Sequence, residues 1–154
     1  MTVRSIVNWA FATLIVGSLV GCGGATQDEW TEKREKVVPV SGVVLVNGKP
    51  IEGATVNFHS ETKDVTAHGR TDAQGQFELT TYEAADGAVP GKHKVTVKKH
   101  EVKTVPNPED PELGPISSEE IWHTPKVYGS IGTTPLTFDV GPEGNSDVEL
   151  KLEQ

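Results

Sequence analysis

Val37 to Val46 is almost continuously apolar and β-branched, a pattern that predicts an extended and largely buried strand. Asn47-Gly48 follows at once. Both residues tolerate positive φ, so the pair predicts a tight hairpin turn. Pro50 has no amide hydrogen to give a sheet ladder and belongs to the connection or to a strand edge. Gly53 marks a second bend. From Ala54 the pattern alternates, with Ala54, Val56 and Phe58 on one face and Thr55, Asn57 and His59 on the other, as in a half-buried strand. Asp72-Ala73-Gln74-Gly75 predicts the next turn, because Asp bonds its own backbone and Gly supplies a left-handed residue. Phe77 and Leu79 then alternate with Glu78 and Thr80.

The same period continues downstream. His93, Val95 and Val97 share one face of a strand, and Lys92, Lys94 and Lys98 fall on the opposite, solvent-facing side. Two readings of those lysines stand: a small basic patch for an anionic ligand, or an exposed or edge strand kept from aggregating by charge. His100 to Lys126 is the least regular stretch, with Pro106, Pro108, Pro111, Pro115 and Pro125 set among acidic residues, and it predicts a long loop. Trp122 within it either pins the loop to the body or serves as a contact residue. Leu136, Phe138 and Val140 alternate with polar residues, and Val148, Leu150 and Leu152 do the same after a turn at Gly141 to Asn145. This predicts a closing hairpin. The sum is an all-β chain of about seven strands, arranged as an antiparallel two-sheet sandwich.

The segments Val40-Ser41-Gly42-Val43-Val44, Asn47-Gly48-Lys49-Pro50-Ile51, Gly53-Ala54-Thr55-Val56 and Thr71-Asp72-Ala73-Gln74-Gly75-Gln76-Phe77 occur in an order that resembles the carboxypeptidase regulatory-like domain, a transthyretin-like (prealbumin-like) sandwich. Pro90-Gly91-Lys92-His93-Lys94-Val95-Thr96-Val97 fits a further strand of that family, with His93 where tyrosine is usual. The resemblance covers residues 37–99. Pro125-Lys126-Val127-Tyr128 and the later Thr134-Pro135-Leu136 resemble the closing part of small bacterial lipoproteins built on the same sandwich. The resemblance implies a transthyretin-like fold over residues 37–154.

Residues 1–21 read as a signal peptide: Arg4 supplies a small positive region, and Ile6 to Val20 is mostly apolar but short for a spanning helix. Leu19-Val20-Gly21-Cys22 resembles a bacterial lipobox. That resemblance implies cleavage before Cys22, diacylglycerol on its sulfur and a further acyl chain, such as palmitate, on its amino group. Two or more acyl chains anchor stably where one does not. Gly23 rather than Asp after Cys22 implies delivery to the outer membrane of the cell envelope. Residues 22–36 read as a flexible polar tether.

Charge narrows the partners. The chain carries 14 basic and 22 acidic side chains, a net −8 at pH 7, which disfavours nucleic acid and anionic lipid surfaces. With four Phe, three Trp and two Tyr among 154 residues, the core rests on Val, Leu and Ile. The five histidines show no H-x-x-x-H spacing, so no metal site is expected. No nucleophile elbow, phosphate loop or dinucleotide fingerprint is present, and no cofactor is implied. The transthyretin-like hydrolase of 5-hydroxyisourate ends in Tyr-Arg-Gly-Ser. Tyr128-Gly129-Ser130 lacks the Arg and is followed by two more strands.

The expectation is therefore a non-enzymatic, lipid-anchored envelope module with a protein or glycan partner. Cys22 is its lipidation site, and Trp122, Tyr128, Lys92, Lys94 and Lys98 form the candidate interaction surface. A glycan- or peptide-binding module is the alternative, and a small hydrolase stands behind it.

Overall fold

In the computed structural model the chain divides into two units, Met1–Arg34 and Glu35–Gln154. Residues 33–153 are described, so only Lys33 and Arg34 of the first unit enter. The second unit is an all-β sandwich of ten strands: β1 (Val40–Val46), β2 (Lys49–Pro50), β3 (Thr55–Ser60), β4 (Thr66–Arg70), β5 (Gln76–Glu78), β6 (Gly91–Lys98), β7 (His100–Val105), β8 (Ser117–Trp122), β9 (Thr137–Val140) and β10 (Asn145–Leu152).

The first sheet is centred on β1. It pairs with β10 on one side and with β2 and β5, at different residues, on the other. The second sheet runs β4-β3-β6-β9, antiparallel throughout. Val40 and Val44 of β1, Phe77 of β5 and Leu150 and Leu152 of β10 face Val56, Phe58, Val95 and Val97 of the second sheet in one apolar core. Phe58 is its hub: its ring lies 6.3 Å from Phe77, 5.8 Å from Phe138 edge-on and 5.8 Å from His93.

The local turns form as their residues dictate. Asn47 (φ 50°) and Gly48 (φ 77°) carry two successive left-handed residues between β1 and β2. Asp72 accepts the amides of Gln74 and Gln76 at 2.9 and 2.8 Å, and Gly75 closes that turn at φ 74°. Gly42 meets a different requirement. It lies at an irregularity in the β1–β10 register, where a side-chain carbon would collide with the carbonyl of Val148.

Two expectations are corrected. The closing hairpin does not exist: β9 pairs with β6 in the second sheet, and β10 crosses to lie parallel to β1 in the first. Alternation specifies which face of a strand is buried, and it is silent on the partner. The long loop at His100 to Lys126 is mostly a two-stranded ribbon, with β7 and β8 in register from His100↔Trp122 to Val105↔Ser117. Four of its five prolines fall between the two strands, where they leave the ladder intact.

Candidate interaction surfaces

Three surfaces present chemistry to solvent: the ribbon, the outer face of the first sheet and the outer face of the second.

The ribbon is an arm. Residues 101–105 and 117–120 are exposed on both faces, so neither side rests on the sandwich. Its tip is built from short side-chain caps. Asn107 accepts the amide of Glu109 at 2.9 Å, Asp110 accepts that of Glu112 at 2.9 Å, and the Ile116 amide reaches the Val105 carbonyl at 2.9 Å. Leu113 is 75% exposed and Ile116 62%, with Val102 and Val105 also open along β7. Carboxylates surround them at Glu101, Glu109, Asp110, Glu112, Glu119 and Glu120.

Trp122 stands at the root of the arm, not on a loop. It stacks on His100 at 5.2 Å and 24°, lies under the Lys126 ammonium at 5.5 Å, and its indole nitrogen donates to Glu120 at 3.1 Å. Gly129 lets it approach, since a side-chain carbon there would meet the indole at 3.0 Å. Trp122 is half-buried and fastens the arm to the body. His123 adds a contact to Glu101 at 3.0 Å.

Tyr128 is 8% exposed and belongs to the core, which removes it from the expected interaction surface. A one-turn 3-10 segment, Lys126–Gly129, turns its ring inward. Nothing in its local sequence distinguishes a buried tyrosine from a displayed one.

On the outer face of the first sheet lies an open groove of about 940 Å³. Val43 lies on its floor, Glu78 on one side and Asp147 and Glu149 on the other, with Arg70 at one end. Sequence reading missed this groove, because its carboxylates come from strands seventy residues apart that β1 brings together.

The outer face of the second sheet is cationic. Register places Arg70, Thr55 and Lys98 in one row and Thr66, His59 and Lys94 in another. Between them His68, Asn57 and Thr96 form a third. His59 is held between Thr66 and Thr96, its Nδ1 3.1 Å from one hydroxyl and its Nε2 3.2 Å from the other. Burial, and to a lesser degree the nearby His93, lower its pKa. Thr96 is 4% exposed, so its hydroxyl orders the face and is not offered to a substrate. Lys92 and Lys98 are exposed and Lys94 half-buried, all on the expected side. Lys92 has Asp139 as register partner and Glu61 nearby, and the Arg70 side chain lines the acidic groove of the first sheet, so the positive character rests on Lys94 and Lys98.

His93 is the remaining imidazole of interest. It is 1% exposed on the inner face of β6. Its Nδ1 donates to the Gly91 carbonyl at 2.8 Å, and its Nε2 is buried with no hydrogen-bond partner. Burial pushes its pKa down, partly offset by the Gly91 carbonyl and by Asp139 and Glu61. Among the described residues no group of three or more His, Cys, Asp or Glu is gathered to hold a metal ion. Cys22 and residues 1–21, read as a signal peptide from the sequence, lie outside the described residues.

Residues 40–103 match the model of a domain of unknown function, DUF6795, which therefore takes in β1 through most of β7. No curated protein matches the chain. A solved structure, a 9R-lipoxygenase from Cyanothece PCC8801, is similar at 15% identity with a TM-score of 0.37. The match covers 77% of this chain and 16% of the lipoxygenase, a likeness too slight to bear on fold or chemistry.

Proposed function

We propose that the chain is a non-catalytic, lipid-anchored envelope protein that engages a protein partner through its β7–β8 arm. Two acyl-bearing groups on Cys22 hold it to the membrane, with residues 22–36 as the tether, and delivery is to the outer membrane. The support for the anchor is the Leu19-Val20-Gly21-Cys22 sequence, and for the sandwich as a scaffold, its resemblance to the carboxypeptidase regulatory-like domain.

One observation carries the arm: a ribbon bare on both faces ends in Leu113 and Ile116, apolar side chains that contribute nothing to the core. A two-stranded ribbon standing alone is marginal in water, and apolar residues at its tip add no folding stability. Their value lies in burial against something else. The acidic side chains around them select a partner whose apolar cleft is rimmed by basic residues.

The test is crosslinking in intact cells followed by affinity capture and mass spectrometry. The wild type is compared with Leu113→Ser/Ile116→Ser and with a chain whose residues 101–121 are replaced by a short turn. A protein captured by the wild type and lost in both variants is the expected result. Equal capture by all three would overturn the arm as the working surface. In the same cells Cys22→Ser is expected to leave the membrane fraction or to remain uncleaved; continued recovery as a processed, acylated species would refute the anchor.

A further inference from the structure

Lysines on a strand are ordinarily explained as guards on an open sheet edge. That explanation fails for β6. It lies between β3 and β9, and beyond Lys94 its remaining side is occupied. The Val95 amide donates to the Leu136 carbonyl at 3.0 Å, Thr134 Oγ1 donates to the Val95 carbonyl at 2.6 Å, and the Lys99 amide donates to Thr124 Oγ1 at 3.0 Å. There is no edge here to protect.

Lys94 and Lys98 also lack counter-charges among the described residues. Lys94 reaches the Ile131 carbonyl at 3.5 Å, and neither Lys94 nor Lys98 makes an ion pair among the described residues. A protein of net charge −8 thus keeps a cationic face where its own carboxylates could have neutralised it.

We propose that the outer face of the second sheet binds an anionic polysaccharide, a linear glycan bearing a carboxylate, sulfate or phosphate on its repeating unit. Lys94 and Lys98 lie about 13 Å apart along β6 at roughly 3.3 Å per residue, a spacing that suits charges recurring along an extended chain. The hydroxyls of Thr55 and Thr66, the Asn57 amide and the His68 imidazole lie among the cations and hydrogen-bond sugar hydroxyls. The residues pointing out of these four strands include no Phe, Tyr or Trp. Single-stranded nucleic acid is gripped by stacking its bases on such rings; the strands offer none, and Trp122, the ring beside Lys98, is already engaged by His100 and Lys126. A neutral sugar platform would likewise use aromatic rings. The acidic remainder of the molecule repels an extended anionic bilayer, while a single glycan strand can follow the row.

The face adjoins the root of the arm, where the Lys98 side chain and Trp122 both approach Gly129, and substitutions at Lys94 and Lys98 separate it from the tip. Binding of the full-length protein in neutral detergent is measured by titration against dextran sulfate and polygalacturonate, with neutral dextran, single-stranded DNA and phosphatidylglycerol vesicles alongside. The expected result is saturable binding of the two anionic polysaccharides and none of dextran. Lys94→Glu/Lys98→Glu weakens it tenfold or more, and Lys94→Gln/Lys98→Gln, which removes the charge but keeps a polar side chain, weakens it severalfold. Lys103→Glu, a charge change on the arm equal to that of the Gln pair, and the chain with the shortened arm both bind as the wild type does. Equal loss in Lys103→Glu, or no loss in the Gln pair, would overturn the site. DNA or vesicles bound as tightly, and lost with the same substitutions, would overturn the polysaccharide as occupant.

Discussion

The hydroxyl of Tyr128 accepts the amide of Glu153 at 3.2 Å and donates to the same residue's carbonyl at 3.3 Å. One side chain thereby ties the segment that flanks β6 to the residue that follows β10, joining the two sheets at their far side. Tyr128→Phe keeps the buried ring and loses both bonds, and it is expected to cost about 1 kcal/mol. Tyr128→Ala also opens a cavity and is expected to cost roughly 3–5 kcal/mol, as large-to-small aromatic changes do. Urea unfolding of the two variants checks the order; equal losses would mean the ring carries nothing.

His93 makes the fold acid-sensitive. Burial depresses its pKa below the ordinary imidazole value of about 6.5. Its Nδ1 proton is committed to Gly91, so a second proton must go to the buried Nε2. The unfolded chain takes up a proton below about pH 6.5 that the folded chain resists, so stability is intact above that pH and falls as pH drops beneath it. His59 shifts the same way and adds a smaller contribution from its more open site. The urea midpoint is expected to fall between pH 7.5 and 5.5. The fall should be smaller in His93→Leu, which fills the same space without a titrating group.

Gly48 and Gly75 both hold positive φ, but their surroundings differ. A side-chain carbon at Gly48 would meet nothing, whereas at Gly75 it would meet Pro50 at 2.8 Å and the Val44 carbonyl at 2.9 Å. Both valine substitutions are expected to destabilise by more than about 1 kcal/mol because the backbone conformation is strained for a β-branched residue. Gly75→Val is expected to be the worse of the two. Thermal unfolding ranks them, and a reversed order would refute the crowding argument.

Asp86 organises the loop before β6. Its carboxylate accepts the amides of Thr81, Tyr82 and Glu83 at 2.6, 2.9 and 2.8 Å. Partial burial works to raise its pKa, and these amides outweigh it, so the net shift is downward. Its contribution is therefore present above the ordinary carboxylate range and lost as pH falls through and below it. Asp86→Ala is expected to cost about 1.5–3 kcal/mol at pH 7, the range for hydrogen bonds to a charged group. It is also expected to speed amide exchange at residues 81–83 specifically. Unchanged exchange there would show that the loop holds its shape without the carboxylate.

The parts of the fold that are local in sequence were legible in it. Asn47-Gly48, Asp72 to Gly75, the alternation of β3 and the inward set His93, Val95 and Val97 each carry their own signal within a few residues. Pairings were not legible. Phe138 and Val148 alternate equally well whether their strands form a hairpin or part to separate sheets, because period two records burial and not neighbours. The arm was hidden for the opposite reason. Both faces of β7 and β8 are wet, so no hydrophobic alternation marks them as strands. The lysine row was visible, but its meaning depended on whether β6 was an edge, which only the strand order decides.

That strand order also bears on how the protein is made. β1 is synthesised well before its parallel partner β10, which follows more than a hundred residues later. Until β10 arrives, the side of β1 opposite β2 and β5 remains an open edge, able to recruit the wrong strand. A ribosome that stalls, or a protease that trims, anywhere before Asn145 leaves a chain whose central sheet lacks its parallel partner. Such fragments are candidates for aggregation and quality-control removal rather than partial function.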